Sequence, residues 1–105
     1  MVGKKYVKIA EVNEIPTDAM RLFEAEGREI LVVNTGGQFY AFDNRCPHMG
    51  YPLYFGSLDG QVLTCGFHYA KFNIKTGKPL GTVTEKSLRM LDVKIQDDDV
   101  LVRLW

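Results

Sequence analysis

The side chains of this sequence that could do metal chemistry are two cysteines and two histidines in two short clusters. They are Cys46, His48, Cys65 and His68. The chain has no other cysteine or histidine, so all of these side chains fall in one pattern, Cys-x-His followed by Cys-x-x-His. Thiolate and imidazole are preferred by soft or borderline metals. A set of two Cys and two His therefore predicts an iron–sulfur centre or a zinc site held by two loops.

Two simpler interpretations of these residues are a structural zinc site and a disulfide. Zinc sites usually separate paired ligands by two or more residues, and the single residue between Cys46 and His48 is short for that. A disulfide between Cys46 and Cys65 would leave both histidines unexplained. The spacing favours an iron–sulfur centre, with zinc as the alternative.

The bulk properties of the chain limit its partners. Its 105 residues suit a single domain, 1–105. Thirteen basic and thirteen acidic residues cancel, which argues against nucleic acid as a partner. No stretch approaches the roughly 20 apolar residues of a membrane span, and no apolar segment of signal-peptide length follows the N-terminus. We expect a soluble, cytoplasmic protein with no membrane partner.

The elements that must position the four residues are predicted to be β-strands from both ends of the chain. A β-type run at 6–9 opens the chain, and a β-branched run at 30–33 is followed, across Gly36-Gly37, by an aromatic run at 38–42. The segment 18–26 is predicted to be a strand whose hairpin tip is Glu26-Gly27-Arg28, although a short helix is an alternative.

The C-terminal end predicts a further hairpin. Met90 to Ile95 is interpreted as one strand, Asp97-Asp98-Asp99 as a solvated turn, and 100–105 as the returning strand. Between the two flanks, 44–82 is rich in Gly, Pro and aromatic residues. The sequence thus predicts an all-β base with an inserted loop-rich subdomain. Within the insert, strands at 53–55 and 62–64 would bring the two ligand loops side by side.

At this point the sequence resembles the Rieske ferredoxins, whose pattern is Cys-x-His, a spacer of about sixteen residues, and Cys-x-x-His. The resemblance extends to Asp43–Gly50, Leu58–Gly60 and Phe72–Lys78, and it covers essentially the whole chain. It implies an antiparallel β-sandwich base of the Rieske type, with a cluster-binding subdomain at about 44–82.

The resemblance also implies a ligand assignment and a function. One [2Fe–2S] cluster would be held with Cys46 and Cys65 on one iron and His48 and His68 on the other. The chain would carry single electrons from a reductase to an oxygenase or another oxidoreductase. It would bind no substrate and have no catalytic residue, because no histidine remains for a mononuclear iron site.

Comparison with high-potential members of the family predicts a low reduction potential. Those members have Ser and Tyr two and four residues after the second histidine, where this chain has Ala70 and Phe72. Hydroxyl groups that donate to cluster sulfur raise the potential, so their absence lowers it. Those members also have a disulfide between the loops, and Tyr51 and Phe67 stand at the matching positions here.

The residue after the second ligand histidine is usually Gly in the family, and here it is Tyr69. A side chain at this position is expected to disfavour positive φ. Phe67 and Tyr69 are the better candidates for a partner-docking surface. Apolar residues around the first loop could also dock a partner, although a core position is more common for such residues. These residues are Met49, Tyr51, Pro52, Leu53 and Tyr54.

Two other functions remain open. The chain could be an accessory or redox-sensing subunit, in which the cluster is structural or reports redox state. Alternatively, it could be an interaction module stapled by zinc. An absorption spectrum separates the zinc module from the other two, because a zinc protein is colourless.

Overall fold

A computed structural model describes residues 6–47, 50–66, 69–81 and 83–104. Its strands are β1 (Tyr6–Glu11), β2 (Ala19–Ala25), β3 (Arg28–Thr35), β4 (Gln38–Asp43), β5 (Ser57–Asp59), β6 (Val62–Thr64), β7 (Lys71–Asn73), β8 (Pro79–Leu80), β9 (Met90–Leu91), β10 (Val93–Gln96) and β11 (Asp99–Arg103). Two short 3-10 turns accompany them, η1 (Val12–Glu14) and η2 (Leu53–Phe55). The described residues contain no α-helix, and none of their helical turns is long and apolar enough to cross a membrane.

The strands form three antiparallel sheets. The first has the order β1-β11-β10 and the second the order β2-β3-β4-β9. The third has the order β5-β6-β7-β8 and is built entirely from the segment between 57 and 80. The Thr35 hydroxyl, at the end of β3, donates a hydrogen bond of 3.0 Å to the Gly60 carbonyl and joins the second sheet to the third. The predicted all-β fold is confirmed.

Strand β3 is buried on both faces and separates two hydrophobic cores. Successive side chains of a strand point to opposite faces, so Ile30 and Val32 lie on one side while Leu31 and Val33 lie on the other. The first pair packs with residues of the first sheet, including Val100. The second pair packs with residues of the third sheet and with both cysteines. The unbroken apolar run in the sequence follows from this two-sided burial.

The segment 18–26 is a strand, as predicted, and not a helix. Strand β2 pairs with β3 from Ala19 opposite Asn34 to Ala25 opposite Arg28. The turn between them places Glu26 and Gly27 at φ values of 51° and 79°. Two consecutive residues with positive φ match the right-handed twist of a tight hairpin.

The predicted strand at 53–55 is wrong, because these residues form η2. The turn is closed by the Gly56 N–H, which donates to the Leu53 carbonyl at 2.9 Å. Leu53 is fully buried in the core, whereas Phe55 points outward and is 67% exposed. The partner of β6 is instead β5, paired from Ser57 opposite Thr64.

The predicted C-terminal strand is divided in two. β9 pairs with β4 in the second sheet, and β10 pairs with β11 in the first. The chain changes sheet at Asp92, whose carbonyl accepts a 2.9 Å hydrogen bond from the Arg103 N–H. Asp99 begins β11 and does not belong to the turn, and Trp105 lies outside the described residues.

Candidate metal centre

The first cluster of the pattern lies in a closed loop after β4, residues 46–51, here called loop 1. The Cys46 N–H donates to the Tyr51 carbonyl at 2.7 Å, and the Gly50 N–H donates to the Cys46 carbonyl at 2.7 Å. Gly50 has a φ of 75°, in the left-handed region that glycine adopts without steric cost. Cys46 is 1% exposed. Loop 1 therefore presents its cysteine from a fixed backbone and out of solvent.

The second cluster lies in loop 2, residues 65–70, between β6 and β7. The Cys65 N–H donates to the Ala70 carbonyl at 2.7 Å, which extends the pairing of Thr64 with Lys71. Tyr69 has a φ of 58°. Cys65 has no exposed surface.

The two loops repeat one geometry. In each, a cysteine N–H donates to the carbonyl five residues later, and the residue four after the cysteine has left-handed backbone. Cys46 and Cys65 belong to the same hydrophobic core. Both lie in the described part of the chain, and no disulfide joins them there. Two buried thiols on matching loops suit thiolate ligation of a metal centre.

His48 and His68 lie outside the described residues, as do Met49 and Phe67. Among the residues that are described, no group of three or more His, Cys, Asp or Glu side chains could hold a metal ion. The structure thus describes the cysteine half of the predicted ligand set, and the complete set remains a prediction. In sequence, each histidine falls within a loop that its cysteine closes.

The cysteines have an apolar environment that is buried from solvent. Their core includes the fully buried side chains of Leu53, Leu63 and Phe72. Ala70 is also fully buried in this core. The two positions at which the sequence lacks a hydroxyl donor therefore belong to the same core as the two thiols.

Tyr69 departs from the sequence expectation, because it keeps a positive φ although it is not glycine. The hydrogen bond that closes loop 2 and the pairing of β6 with β7 hold the backbone there. Tyr69 is 72% exposed. Other aromatic side chains at the surface near the loops are those of Tyr51, Tyr54 and Phe55.

The structure decides between core and surface for three of the apolar residues proposed for docking. Leu53 is core, while Tyr51 and Tyr54 are 37% and 38% exposed. Phe55 is one of the most exposed large apolar residues, and its ring centroid lies 6.4 Å from that of Tyr51. Sequence reasoning missed Phe55 by placing it in a strand. The signal in the sequence was its position between Pro52 and Gly56, which favours a turn.

Polar residues just before loop 1 anchor it to the base, and sequence reasoning missed them too. Asp43 accepts from Arg28 at 2.8 Å and lies 3.3 Å from the Arg89 guanidinium. Asn44 is 7% exposed and hydrogen bonded on both sides of its amide. Beside loop 1 is an open cleft of about 740 Å³ whose lining includes these four residues and carries both signs of charge.

The fold and the paired loops define a class: a small all-β domain that presents two buried thiols from matching loops for a metal centre. A family model described as the Rieske [2Fe-2S] domain matches residues 5–94. The chain belongs to the Rieske [2Fe-2S] domain family, which has an iron–sulfur cluster as its cofactor.

Individual relatives agree with this assignment. The chain is 38% identical over 97 residues to the ferredoxin component of biphenyl 2,3-dioxygenase from Rhodococcus jostii (strain RHA1), covering 92% of this chain and 91% of the relative. The ferredoxin of carbazole 1,9a-dioxygenase from Nocardioides aromaticivorans IC177 has a similar structure, with a TM-score of 0.86 at 26% identity, over 93% of this chain and 96% of that one.

A third match is a chain from the complex of reduced oxygenase and oxidized ferredoxin in carbazole 1,9a-dioxygenase. The TM-score is 0.88 at 28% identity, and the match covers 96% of this chain and 94% of that one. Together these findings confirm the predicted family, the fold class and the electron-transfer function.

Proposed function

We propose that this chain holds one [2Fe–2S] cluster on Cys46, Cys65, His48 and His68 and carries single electrons to a terminal oxygenase. The observation that carries the proposal is the repeated geometry of loops 1 and 2, which places two buried thiols in one hydrophobic core. The described residues fit the group, because thiols excluded from water are suitable ligands for iron. The histidines would complete the set from the same loops.

When bound, the cluster supplies a site that gains and loses one electron. The protein would bind and orient the cluster and exclude water from it. Cys46 and Cys65, each at most 1% exposed, would hold one iron through their thiolates. Exchanging two anionic thiolates for two neutral imidazoles makes a cluster less negative than one with four cysteines, so it is easier to reduce.

The proposed potential lies in the low part of the Rieske range, which spans roughly −150 to +300 mV. Ala70 and Phe72 are buried in the core that contains the thiols, and neither carries a hydroxyl group that could donate to sulfur. Without such donors the extra negative charge of the reduced state is less stabilised.

The proposed partners are a reductase as donor and an oxygenase as acceptor, and the names of the relatives support the oxygenase. Tyr69 and Phe55, 72% and 67% exposed, offer apolar contact area beside the ligand loops. Exposed aromatic rings contribute strongly to protein association. The chain would transfer electrons and perform no substrate chemistry of its own.

The experiment is reduction of the purified protein by a ferredoxin reductase, followed by mixing with a purified Rieske oxygenase under anaerobic conditions. We expect the cluster's visible absorption to bleach on reduction. After mixing, the EPR signal of the reduced chain should be replaced by that of the reduced oxygenase. A cluster that reduces but delivers no electron to any acceptor favours the sensing subunit instead. A colourless protein that contains zinc favours the interaction module.

A further inference from the structure

Asn44 is a buried polar residue between β4 and loop 1, and its side chain bonds in two directions. Its Nδ2 donates to Glu29 Oε1 at 3.2 Å, and its Oδ1 accepts from the Tyr54 N–H at 2.8 Å. Its own backbone N–H donates to the Glu29 carbonyl at 3.1 Å. A buried amide satisfied on both sides is restricted to one orientation. Asn44 therefore fixes η2 relative to the start of loop 1.

The other side of η2 lies against loop 2 with almost no free space. A Cβ atom on Gly66, the residue after Cys65, would lie 2.9 Å from the Phe55 carbonyl oxygen. A Cβ on Gly56 would lie only 2.0 Å from the Thr64 carbonyl oxygen. Both contacts are with backbone, which cannot rotate away as a side chain can. The backbone at 55–56 is thus in direct contact with the backbone that leads into loop 2.

We propose that Asn44 is a positioning residue that sets the separation of loops 1 and 2 through η2. The proposal rests on the proposed function, since it concerns two loops that hold one cluster. The described side-chain bonds of Asn44 go to Glu29 and to Tyr54. Through Tyr54 it holds Phe55 and Gly56 against Gly66. Groups that orient the ligands of a metal, without binding the metal themselves, alter the affinity of the site for the metal and the metal's electronic properties.

The test is a pair of reciprocal substitutions. Asn44→Asp keeps the acceptor for the Tyr54 N–H but places a carboxylate against that of Glu29. The two negative charges repel, so the contact between residues 44 and 29 is broken. Glu29→Gln alone keeps an acceptor for Asn44. In the double variant, the amide introduced by Glu29→Gln donates to the carboxylate introduced by Asn44→Asp, which restores the bond with donor and acceptor exchanged.

A matched control lies elsewhere in the base. Asn34 is also buried, at 6% exposed, and also bonds in two directions, with Nδ2 donating to the Ile15 carbonyl at 2.8 Å and Oδ1 accepting from the Gly37 N–H at 3.1 Å. It belongs to β3 and contacts neither loop through these bonds. Asn34→Asp should lower stability, because a carboxylate replaces the amide that donates to the Ile15 carbonyl, without moving the ligand loops.

The readouts are the EPR g values of the reduced protein, its midpoint potential and the rate of cluster loss to a chelator. We expect Asn44→Asp to shift the g values and to lose its cluster several-fold faster than wild type. Glu29→Gln should resemble wild type, the double variant should return towards wild type, and Asn34→Asp should leave the g values unchanged. If Asn44→Asp does not fold, Asn44→Ala, which adds no charge, is measured for the same shift.

If the wild-type spectrum is of the Rieske type and the Asn44 variants keep its g values and cluster lifetime, the role of Asn44 is overturned and the proposed function stands. An equal shift in Asn34→Asp would overturn it too, because the effect would then be general destabilisation. A wild-type protein without a Rieske-type spectrum would overturn the proposed function itself.

Discussion

Gly50 and Tyr69 occupy equivalent positions in two matching loops. Each lies four residues after a buried cysteine, and each has left-handed backbone, with φ values of 75° and 58°. Glycine adopts this conformation freely, whereas a residue with a side chain loses roughly 1–2 kcal/mol. Since Tyr69 is 72% exposed, core packing does not offset that cost. The ring is therefore better explained by a role at the surface than by folding.

Replacement of Tyr69 separates the strain of its backbone from the surface role of its ring. Tyr69→Gly should leave the free energy of unfolding unchanged or raise it by up to about 1 kcal/mol, because relief of the backbone strain is partly offset by the entropy of glycine. The rate of electron delivery to an oxygenase should fall several-fold, since the exposed ring is removed. Urea unfolding and stopped-flow absorbance measure the two effects.

Tyr69→Phe is the control for this prediction. It keeps the ring and the strain, so both the stability and the electron-transfer rate should stay near wild type. A Tyr69→Gly variant that loses stability and keeps its transfer rate would show that the ring serves the fold.

Gly56 should not tolerate even a methyl group. Gly56→Ala places Cβ 2.0 Å from the Thr64 carbonyl oxygen, so backbone must shift, and we expect a loss of about 1–3 kcal/mol or more in the free energy of unfolding. The cluster should also be lost faster, because η2 and loop 2 are forced apart. Thermal unfolding and cluster bleaching measure the two effects.

Gly36→Ala is the matched control, since Gly36 has positive φ but no described atom would lie within 4 Å of a Cβ added there. It should show only the cost of left-handed backbone, roughly 1–2 kcal/mol, with normal cluster lifetime. Equal cluster loss in the two variants would contradict the importance of the close contact.

Hydroxyl groups introduced at Ala70 and Phe72 should raise the midpoint potential. In Ala70→Ser and Phe72→Tyr the new donor lies in the core that contains both thiols, where it can stabilise the reduced cluster. Without the cluster, a buried hydroxyl that finds no acceptor costs about 1–3 kcal/mol. Redox titration should therefore show a rise, while the cluster-free variants should be less stable than cluster-free wild type.

The variant with both Ala70→Ser and Phe72→Tyr tests whether the two donors act separately, in which case its rise in potential is the sum of the two single rises. If both single variants titrate at the wild-type potential, the proposed explanation of the low potential is contradicted. Ala70→Val, which fills space without a donor, controls for altered packing.

The ion pair of Lys8 with Asp99 should make stability depend on pH in the alkaline range. Its hydrogen bond to Asp99 at 3.1 Å, and the negative charge of that group, raise the pKa of Lys8 above its ordinary value of 10.5. A raised folded-state pKa contributes stability below the unfolded-state pKa, and this contribution is lost as pH rises through the folded-state pKa. Lys8→Met should thus be slightly less stable than wild type at pH 8, and the difference should vanish in strongly alkaline solution.

Urea unfolding at the two pH values measures the Lys8 effect, and Lys86→Met controls for the loss of one exposed positive charge. A difference between wild type and Lys8→Met that grows with pH would contradict the assigned sign.

Much of the base could be predicted from the sequence because its signals are local. The turn residues Glu26-Gly27 and Gly36-Gly37, with alternating or β-branched runs beside them, determine the hairpins of β2, β3 and β4. Cys46 and Cys65 could equally be predicted as metal ligands from the sequence, since both occur in one pattern with the histidines. That pattern could not show that they share a core, which depends on contacts between residues far apart in sequence.

The errors occur where tertiary contacts override local preference. The residues of η2 have strand-like side chains, but burial of Leu53 and the contact of Gly56 with Thr64 determine a tight turn. Tyr69 adopts positive φ because loop closure requires it. No role for Asn44 could be predicted from the sequence, because its position is set by two hydrogen bonds to Glu29 and Tyr54, which are distant in sequence.

The most direct test of the central claim is the EPR spectrum of the reduced wild-type protein. Ligation of one [2Fe–2S] cluster by Cys46, Cys65, His48 and His68 predicts a rhombic signal with the low average g value of mixed Cys/His ligation, accounting for one spin per chain. The absence of any signal from a colourless protein, or the signal of a cluster with four cysteines, would contradict it.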